Sequence, residues 1–327
     1  MFKKNTLSSN KEIKWCPSCG NYSILKQVQV ILPEIGILKE NIVFVSGIGC
    51  SSRFPYYINN FGLHGIHGRA PSIGTGIKLA NPKLSVWIIT GDGDSFSIGG
   101  NHIIHLFRRN INMNVLLFNN EIYGLTKGQY SPTSRLGLIT KSSNIGTIDP
   151  PFNTLSLALG AGASFVARSM DKYPKHLREI LLKASLHNGT SFIEIYQNCN
   201  IFNDKAFNIF KEKKDHTIFL HHKKPLIFGD KNQWGIRLDG LQPEIVSLDS
   251  SMDLWIHDEK DRTKAGLLAR FFDDYFVHNK FPRPFGILYR KDLPTYDSLF
   301  HEHISFKENI FKRLELILKG NDTWEIK

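Results

Sequence analysis

Two apolar runs, at 85–90 and 115–118, each stop abruptly in a polar sequence. The first stops in Gly91-Asp92-Gly93-Asp94, the second in Asn119-Asn120, followed by Tyr123-Gly124. The segment between them has a helical period. Ile98, Ile103, Leu106 and Phe107 fall on the face predicted to meet a sheet, with Arg108, Arg109 and Asn110 outward at its end. Strand, crossover helix and strand make a βαβ unit, whose strands are parallel and whose ligands sit beyond the strand carboxyl ends. Asp92 and Asn120 are therefore predicted to emerge side by side on one sheet edge. A carboxylate and an amide oxygen are hard ligands suited to magnesium, which also takes phosphate oxygens. The glycines let backbone approach a phosphate, and a helix predicted to begin near Ser97 aims free N–H groups at it. A Gly-Asp turn in an ordinary βαβ unit would account for GDGD alone. The paired asparagines, one crossover later, make the pattern specific.

The rest of the chain extends this unit. Residues 42–46 read as a buried strand that breaks into a Gly-rich turn carrying Cys50, with Arg53 close behind. His64 and the His67-Gly68-Arg69 step precede a helix-like run at 73–79 that opens near Pro71, a residue suited to a first helical turn. Residues 131–147 have little periodicity and predict a loop long enough to act as a lid over a ligand. A helical run before Gly160 leads to a strand at 164–167. A helix at 173–187 follows, with Leu177, Ile180, Leu181 and Ala184 as its buried face. A strand at 191–196 ends just before Cys199. Cys50, Asp92, Asn120 and Cys199 thus all follow strands, and in a doubly wound, mostly parallel α/β sheet those ends share one edge. Beyond residue 200 the character changes. Residues 201–226 are basic and aromatic. Helices are predicted at 265–276 and 306–318, the latter with Ile310, Leu314 and Ile317 at core spacing, and a strand at 282–288. The chain is read as an α/β domain over 1–200 and a C-terminal extension over 201–327 set against a partner subunit; a small independent domain is the alternative.

There are four cysteines. Cys16 and Cys19 form a C-x-x-C pair opening a helix-like segment with Ile24, Leu25, Val28 and Ile31 on one face. Such a pair serves as a redox dithiol, a zinc half-site or an iron–sulfur half-site. A thioredoxin-like dithiol follows a strand, and nothing strand-like precedes Trp15. Cys50 and Cys199, taken singly, read as small buried hydrophobes. Taken with the pair, they make a four-thiolate site for zinc or for [4Fe–4S]. Structural zinc usually takes two close pairs, whereas here one close pair joins two remote cysteines; that favours a cluster modestly, though spacing alone does not separate the metals.

The GDG…NN pattern resembles the diphosphate-binding motif of thiamine-diphosphate enzymes. The fuller string NNEIYGLTKGQYSPT, from Asn119 to Thr133, resembles one branch of them, the β subunits of 2-oxoacid:ferredoxin oxidoreductases. WCPSCG resembles the WCPGCG opening of these subunits, with Ser18 where glycine is commoner. GIGCSSR, the His67-Gly68-Arg69 step and the terminal Cys199 match as well, and more loosely HDE at 257–259 and RPFGILY at 283–289. The resemblance implies that Cys16, Cys19, Cys50 and Cys199 ligate a [4Fe–4S] cluster near thiamine diphosphate. It implies that Asp92 and Asn120 hold Mg²⁺ by side chains and Ile122 by its carbonyl. Gly91, Gly93 and Asp94 would cradle the diphosphate, with Tyr123, Gly124 and Leu125 continuing the cofactor-binding motif. Arg53 and Lys127 are candidates to meet a substrate carboxylate, on charge and on proximity to the motif. His67 is expected near the cofactor, though not as the base.

The implied reaction is CoA-dependent oxidative decarboxylation of a 2-oxoacid to acyl-CoA and CO2, with electrons leaving through the cluster to ferredoxin. The cofactor carries the hard chemistry and the protein orients it. TKGQYSPTS resembles the 2-oxoglutarate-type and broad-specificity short β subunits, so 2-oxoglutarate is favoured and pyruvate stays open. Thiamine enzymes also need a carboxylic acid to activate the aminopyrimidine ring, normally from a second, pyrimidine-binding domain. No Glu of this chain sits in such a motif. An α partner is therefore expected, in an αβ or α2β2 assembly, and the chain alone is expected to be inactive. Two rivals remain at this point: a non-redox thiamine-diphosphate decarboxylase or synthase subunit using the same Asp92–Asn120 site, and a zinc-stabilised basic binding protein.

Hydrophobic residues make up 41% of the 327, which excludes disorder of the whole chain. The net charge of +11 invites nucleic acid. No zinc-finger, RNP or helix-turn-helix pattern supports it, and no nucleic-acid partner is expected. The basic residues are scattered apart from runs at 211–214 and 221–224. They read either as drift towards Lys, Asn and Ile or as attraction for an acidic ferredoxin or coenzyme A. Residues 1–10 are polar, without the apolar core of a signal peptide. No apolar run reaches membrane-spanning length. The expected address is cytoplasmic, where disulfides are not expected.

Overall fold

The computed structural model describes residues 7–212, 214–248, 253–271, 273, 281–304, 310–320 and 323–324. Helix α1 (Asn21–Ile31) precedes β1 (Ile42–Ser46), α2 (Phe54–Tyr57), β2 (Phe61–His64), α3 (Ala70–Ala80) and β3 (Ser85–Gly91). A π-helical turn, Asp94–Ile98, leads into α4 (Gly100–Arg109), β4 (Met113–Asn119), α5 (Thr154–Gly160), β5 (Phe165–Met170), α6 (Pro174–Ser185) and β6 (Thr190–Tyr196). Then come α7 (Ile209–Glu212), β7 (Thr217–Phe219), β8 (Ile227–Phe228), β9 (Trp234–Asp239), β10 (Gln242–Ser247), α8 (Arg262–Ala269), β11 (Arg283–Arg290), α9 (Tyr296–Ile304) and α10 (Ile310–Lys319). The main sheet runs β2-β1-β3-β4-β6-β5-β11-β7, parallel from β2 to β5. β11 joins β5 antiparallel, and β8, β9 and β10 form a separate antiparallel sheet.

The strands at the centre read as continuous apolar runs because both faces of the sheet are covered. Along β3 and β4 the alternation is clean. Val86, Ile88, Val115 and Leu117 enter one core with Ile103, Leu106 and Phe107 of α4. Trp87, Ile89, Leu116 and Phe118 enter the other with α1 and the Leu177, Ile180, Leu181 and Ala184 face of α6. Helices on both faces define the doubly wound architecture. Full burial of one such Leu, Ile or Phe is worth about 1.5–3 kcal/mol.

Four expectations change. Ile98 is 55% exposed instead of facing the sheet. It closes the π turn, whose i→i+5 phase sets it out of step with the regular face of α4. Asn110, expected outward, is buried at a left-handed C-cap (φ 49°). Its Oδ1 accepts from Thr190 N at 2.9 Å and Ser164 Oγ at 2.6 Å, tying α4 to β6 and the start of β5. The expected extension does not stand apart from the core: β11 completes the main sheet, and Ile218, Leu220, Trp255, Ala265 and Leu268 pack into the α4 face. The reason is the buried apolar run from Pro284 to Tyr289 within β11, whose burial requires the sheet. The helix expected at 265–276 is described only as α8; 272 and 274–276 lie outside the described residues, as do 305–309 of the helix expected at 306–318. Leu314 and Ile317 of α10, expected in the core, are exposed. No helix among the described residues is long and apolar enough to cross a membrane.

A buried ion pair crosses neighbouring strands. Arg168 Nε donates to Glu194 Oε2 at 2.6 Å, and both side chains are buried. Burial alone would raise the Glu194 carboxyl, but Arg168, with hydrogen bonds from Asn119 and Thr154, outweighs it and holds it below its ordinary range.

At the opposite end of β5, His187 is buried between the Phe165 ring and Ser164 Oγ, which lies 2.8 Å from its Nε2. Burial lowers its pKa from 6.5 to about 4. The unfolded chain takes up this proton first, so stability is lost as pH falls below about 6.5 and levels off below about 4. The expected loss from this group is about 3 kcal/mol. Urea unfolding of wild type and His187→Gln at pH 7.5 and 4.5 should show a smaller pH dependence in the variant.

Candidate functional site

The strand order reverses between β1 and β3: the chain runs outward from β1 to β2, then returns to place β3 on the other side of β1. Crevices outside strand carboxyl ends at such a switch point receive ligands in open α/β sheets. The β1 end leads into Gly47-Ile48-Gly49-Cys50, and the β3 end into Gly91-Asp92-Gly93-Asp94. The two neighbours on the other side, β4 and β6, end at Asn119 and Tyr196.

Asp94 fastens these loops together. Its Oδ1 accepts from the backbone N–H of Ile48 at 3.0 Å and of Gly68 at 2.7 Å, and lies 2.5 Å from His67 Nδ1. Its Oδ2 accepts from Thr90 Oγ1 at 2.7 Å. The sequence reading has Asp94 help cradle a diphosphate, with Gly91 and Gly93. Here its carboxylate is taken up by protein donors, and it shapes the cradle by holding the 47–50 and 67–69 loops against the β3 end.

Asp92 is buried, and its Oδ2 accepts from Ser131 Oγ at 2.5 Å and Thr133 Oγ1 at 2.6 Å. Burial raises its pKa, partly offset by those hydroxyls. Thr133 Oγ1 also lies 2.9 Å from Asn119 Oδ1, and Asn119 Nδ2 donates to Glu194 Oε1 at 2.9 Å. Asn119 is thus linked to Asp92 through Thr133. Asn120 has separate partners: its Nδ2 donates to Gln197 Oε1 at 3.0 Å and its Oδ1 accepts from Ile122 N at 3.2 Å. The loop at 131–147, which contains no helix or strand, therefore begins pinned on the Asp92 carboxylate.

The segment between Asn120 and that loop is tightly folded. Tyr123 N donates to Gln129 O and Gly128 N to Tyr123 O, each at 2.9 Å, which lifts Leu125 and Lys127 out as a turn. Glu121 and Lys127 both hold positive φ (56° and 77°), a strain that concentrates at functional sites. Burial pushes the Glu121 carboxyl up to about 7 despite Arg135 Nε at 3.0 Å. Tyr123 lies over Gly93: a Cβ at Gly93 would sit 2.1 Å from its ring, so only glycine admits this contact.

All four cysteines line one cavity of about 270 Å³, with Lys14, Arg53, Asn120, Lys127 and Gln197 on its walls. Trp15 Nε1 donates to Cys50 O at 2.6 Å, Gly20 N to Asn198 O at 3.1 Å, and Asn200 Nδ2 to Pro17 O at 2.7 Å. These bonds draw the Cys16–Cys19 loop onto the turns after β1 and β6. A Cβ at Gly124 would lie 3.6 Å from the Sγ of both Cys50 and Cys199. Burial pushes the Cys19 thiol up to about 12 and the Cys50 thiol up to about 11, with the neighbouring cysteines adding to both. Ser18 holds φ 62°, a left-handed conformation that glycine adopts more easily.

The structure thus gathers Cys16, Cys19, Cys50, Cys199, Arg53, Lys127 and Asn120 at the cavity, and Gly91 to Asp94, His67 and Tyr123 beside it. Sequence reasoning gave no site role to Ser131, Thr133, Glu194 or Gln197, and read Asn119 only as half of the asparagine pair. Gln197 lies two residues before Cys199, and the SPTS run entered only through the resemblance and the lid.

An α/β fold with a cradle at the switch point and GDG opposite paired asparagines defines a thiamine-diphosphate-binding domain. Residues 47–195 match the family model described as thiamine pyrophosphate enzyme, C-terminal TPP binding domain. The chain is 45% identical, over 99% of its length and 88% of the relative's, to the 2-oxoglutarate oxidoreductase subunit KorB of Mycobacterium tuberculosis. It is 42% identical to subunit beta of 2-oxoacid:ferredoxin oxidoreductase 2 of Aeropyrum pernix, over 62% of its own length and 65% of that protein's. A chain in a solved structure of 2-oxoglutarate:ferredoxin oxidoreductase from Magnetococcus marinus, with 2-oxoglutarate, coenzyme A and succinyl-CoA bound, superposes with a TM-score of 0.76 at 32% identity. The match covers 96% of each chain. The chain belongs to the β subunits of the 2-oxoacid:ferredoxin oxidoreductases.

Ser131 and Thr133 each donate to a buried carboxylate. A hydrogen bond to a charged group is worth about 1.5–3 kcal/mol, so Ser131→Ala with Thr133→Val should cost about 3–6 kcal/mol. Chemical unfolding measures that loss. Limited proteolysis should show the 131–147 loop cut faster than in wild type.

Proposed function

We propose that the chain is the β subunit of a 2-oxoglutarate:ferredoxin oxidoreductase, carrying thiamine diphosphate, Mg²⁺ and a [4Fe–4S] cluster. The observation that carries this reading is the single cavity walled by all four cysteines and by Asn120. Four thiols around a single zinc ion stand about 2.3 Å from it in a compact tetrahedron. An open space ringed by thiols suits a multi-atom cluster better, and the room left by Gly124 beside Cys50 and Cys199 supports the same reading. The buried Asp92 carboxylate, the Asn120 amide and the Ile122 carbonyl are a hard oxygen set that fits Mg²⁺.

The bound thiamine would supply carbanion chemistry at the keto carbon of the substrate. This chain's own residues do the rest. Asp92 and Asn120 anchor the magnesium diphosphate; Gly91 and Gly93 let backbone approach it. His67, held on Asp94, fixes the wall of the cradle. Arg53 and Lys127, on the cavity wall, face the negative charge of the 2-oxoacid carboxylate. The 131–147 loop, anchored on Asp92, excludes water.

An α partner supplies the carboxylic acid that activates the aminopyrimidine, and coenzyme A accepts the acyl group. Names of the relatives favour 2-oxoglutarate, with pyruvate as the competing substrate. An acidic ferredoxin suits the +11 chain as electron acceptor. Exposed Phe311, Leu316, Leu318 and Trp324 near the C-terminus support a subunit-contacting role for that end. The free cysteines fit a cytoplasmic address.

Purification with the α partner under anaerobic conditions should give brown protein with iron and labile sulfide in equal amounts, active on 2-oxoglutarate in preference to pyruvate. Cys199→Ser should abolish the cluster absorption while thiamine diphosphate still binds. Colourless protein containing zinc, or full turnover by the isolated chain, would sink the reading.

A further inference from the structure

We propose that Gln197 is a positioning residue that joins the diphosphate-metal site to the cysteine cavity, orienting Asn120 with one end of its amide and setting the cluster's potential with the other. The inference rests on the cofactor reading above. Gln197 follows the last residue of β6, is 1% exposed, and its backbone N–H donates to Asn119 O at 2.9 Å. Its Oε1 accepts from Asn120 Nδ2 at 3.0 Å, and its Nε2 donates to Cys19 Sγ at 3.3 Å.

The direction of this chain is fixed at both ends. Gln197 Nε2 also meets the Asn198 carbonyl, an acceptor, so the amide cannot be turned round without setting two oxygens together. Asn120 Oδ1 faces the Ile122 N–H, a donor, so its amide is held in the matching sense. Asn203 Nδ2 donates to Asn120 O at 2.9 Å and secures the backbone at the same point. The Asn120 amide is thus held at both ends, its oxygen by the Ile122 N–H and its nitrogen by Gln197, and losing Gln197 frees the nitrogen end.

The two ends have separate consequences. Groups that orient a metal ligand typically contribute 10–100-fold to metal affinity. An N–H pointed at a cluster thiolate stabilises the more negative, reduced state, so it raises the reduction potential. One buried side chain thus bears on both the site where electrons arise and the site that removes them.

The experiment uses the αβ complex, purified anaerobically, with two variants. Gln197→Glu keeps an oxygen for Asn120 and removes the donor to Cys19. Gln197→Met removes both. EPR-monitored redox titration reads the cluster midpoint, and titration of Mg²⁺ in the presence of thiamine diphosphate reads metal affinity. The midpoint should fall in both variants, furthest with the added charge of Glu. Mg²⁺ affinity should drop about tenfold in Gln197→Met and stay close to wild type in Gln197→Glu. A wild-type midpoint in Gln197→Glu overturns the proposal, and that variant decides alone if Gln197→Met does not assemble. Unchanged Mg²⁺ affinity in an assembled Gln197→Met complex overturns the orienting half. A wild-type complex without a [4Fe–4S] signal overturns the cofactor reading together with this one, an outcome distinct from a loaded wild type whose variants do not shift.

Discussion

The carboxylate of Asp94 carries the strongest constraint in the molecule. It is buried at the end of β3 and collects two backbone N–H groups, a threonine hydroxyl and His67. A buried carboxylate left without such donors would cost several kcal/mol. The loops that supply them are therefore not free to move independently. Through Ile48 the constraint reaches the turn bearing Cys50, and through Gly68 it reaches the loop bearing His67. The cradle and the thiol cavity stay in one frame because a single side chain holds both approaches.

Charge is distributed unevenly around this frame. Asp92, Asp94 and Glu194 are buried within the sheet edge, each satisfied by hydroxyl, amide or guanidinium donors. The cations Lys14, Arg53 and Lys127 stand on the cavity wall. Negative charge inside and positive charge at the rim suit a site that binds a dication within and admits anions from outside.

The fold was legible where period and burial agree. The runs at 85–90 and 115–118 became β3 and β4, and the four cysteines converged because each follows a strand or a loop stitched to one. Ile98 and Asn110 were misread because a π turn and a left-handed cap break the regular helical phase. β11 was seen as a strand but not as part of the sheet, since its partner β5 lies far away in sequence and pairing is not encoded locally. The site was legible to the extent that its chemistry lies in motifs. The links through Thr133, Glu194 and Gln197 are polar contacts between distant segments, and no spacing rule announces them.

The antiparallel pairing of β11 with β5 bears on how the protein is made. Until residues 283–290 leave the ribosome, β5 has an open edge, and Arg168 lacks the Pro284 carbonyl that its guanidinium meets in the finished sheet. Every residue proposed above to hold a cofactor has by then been synthesised. The nascent chain therefore carries those side chains on an incomplete scaffold, with one strand open to pairing by other chains. Loading of the proposed cofactors is best placed after termination, once the late strand has covered that edge.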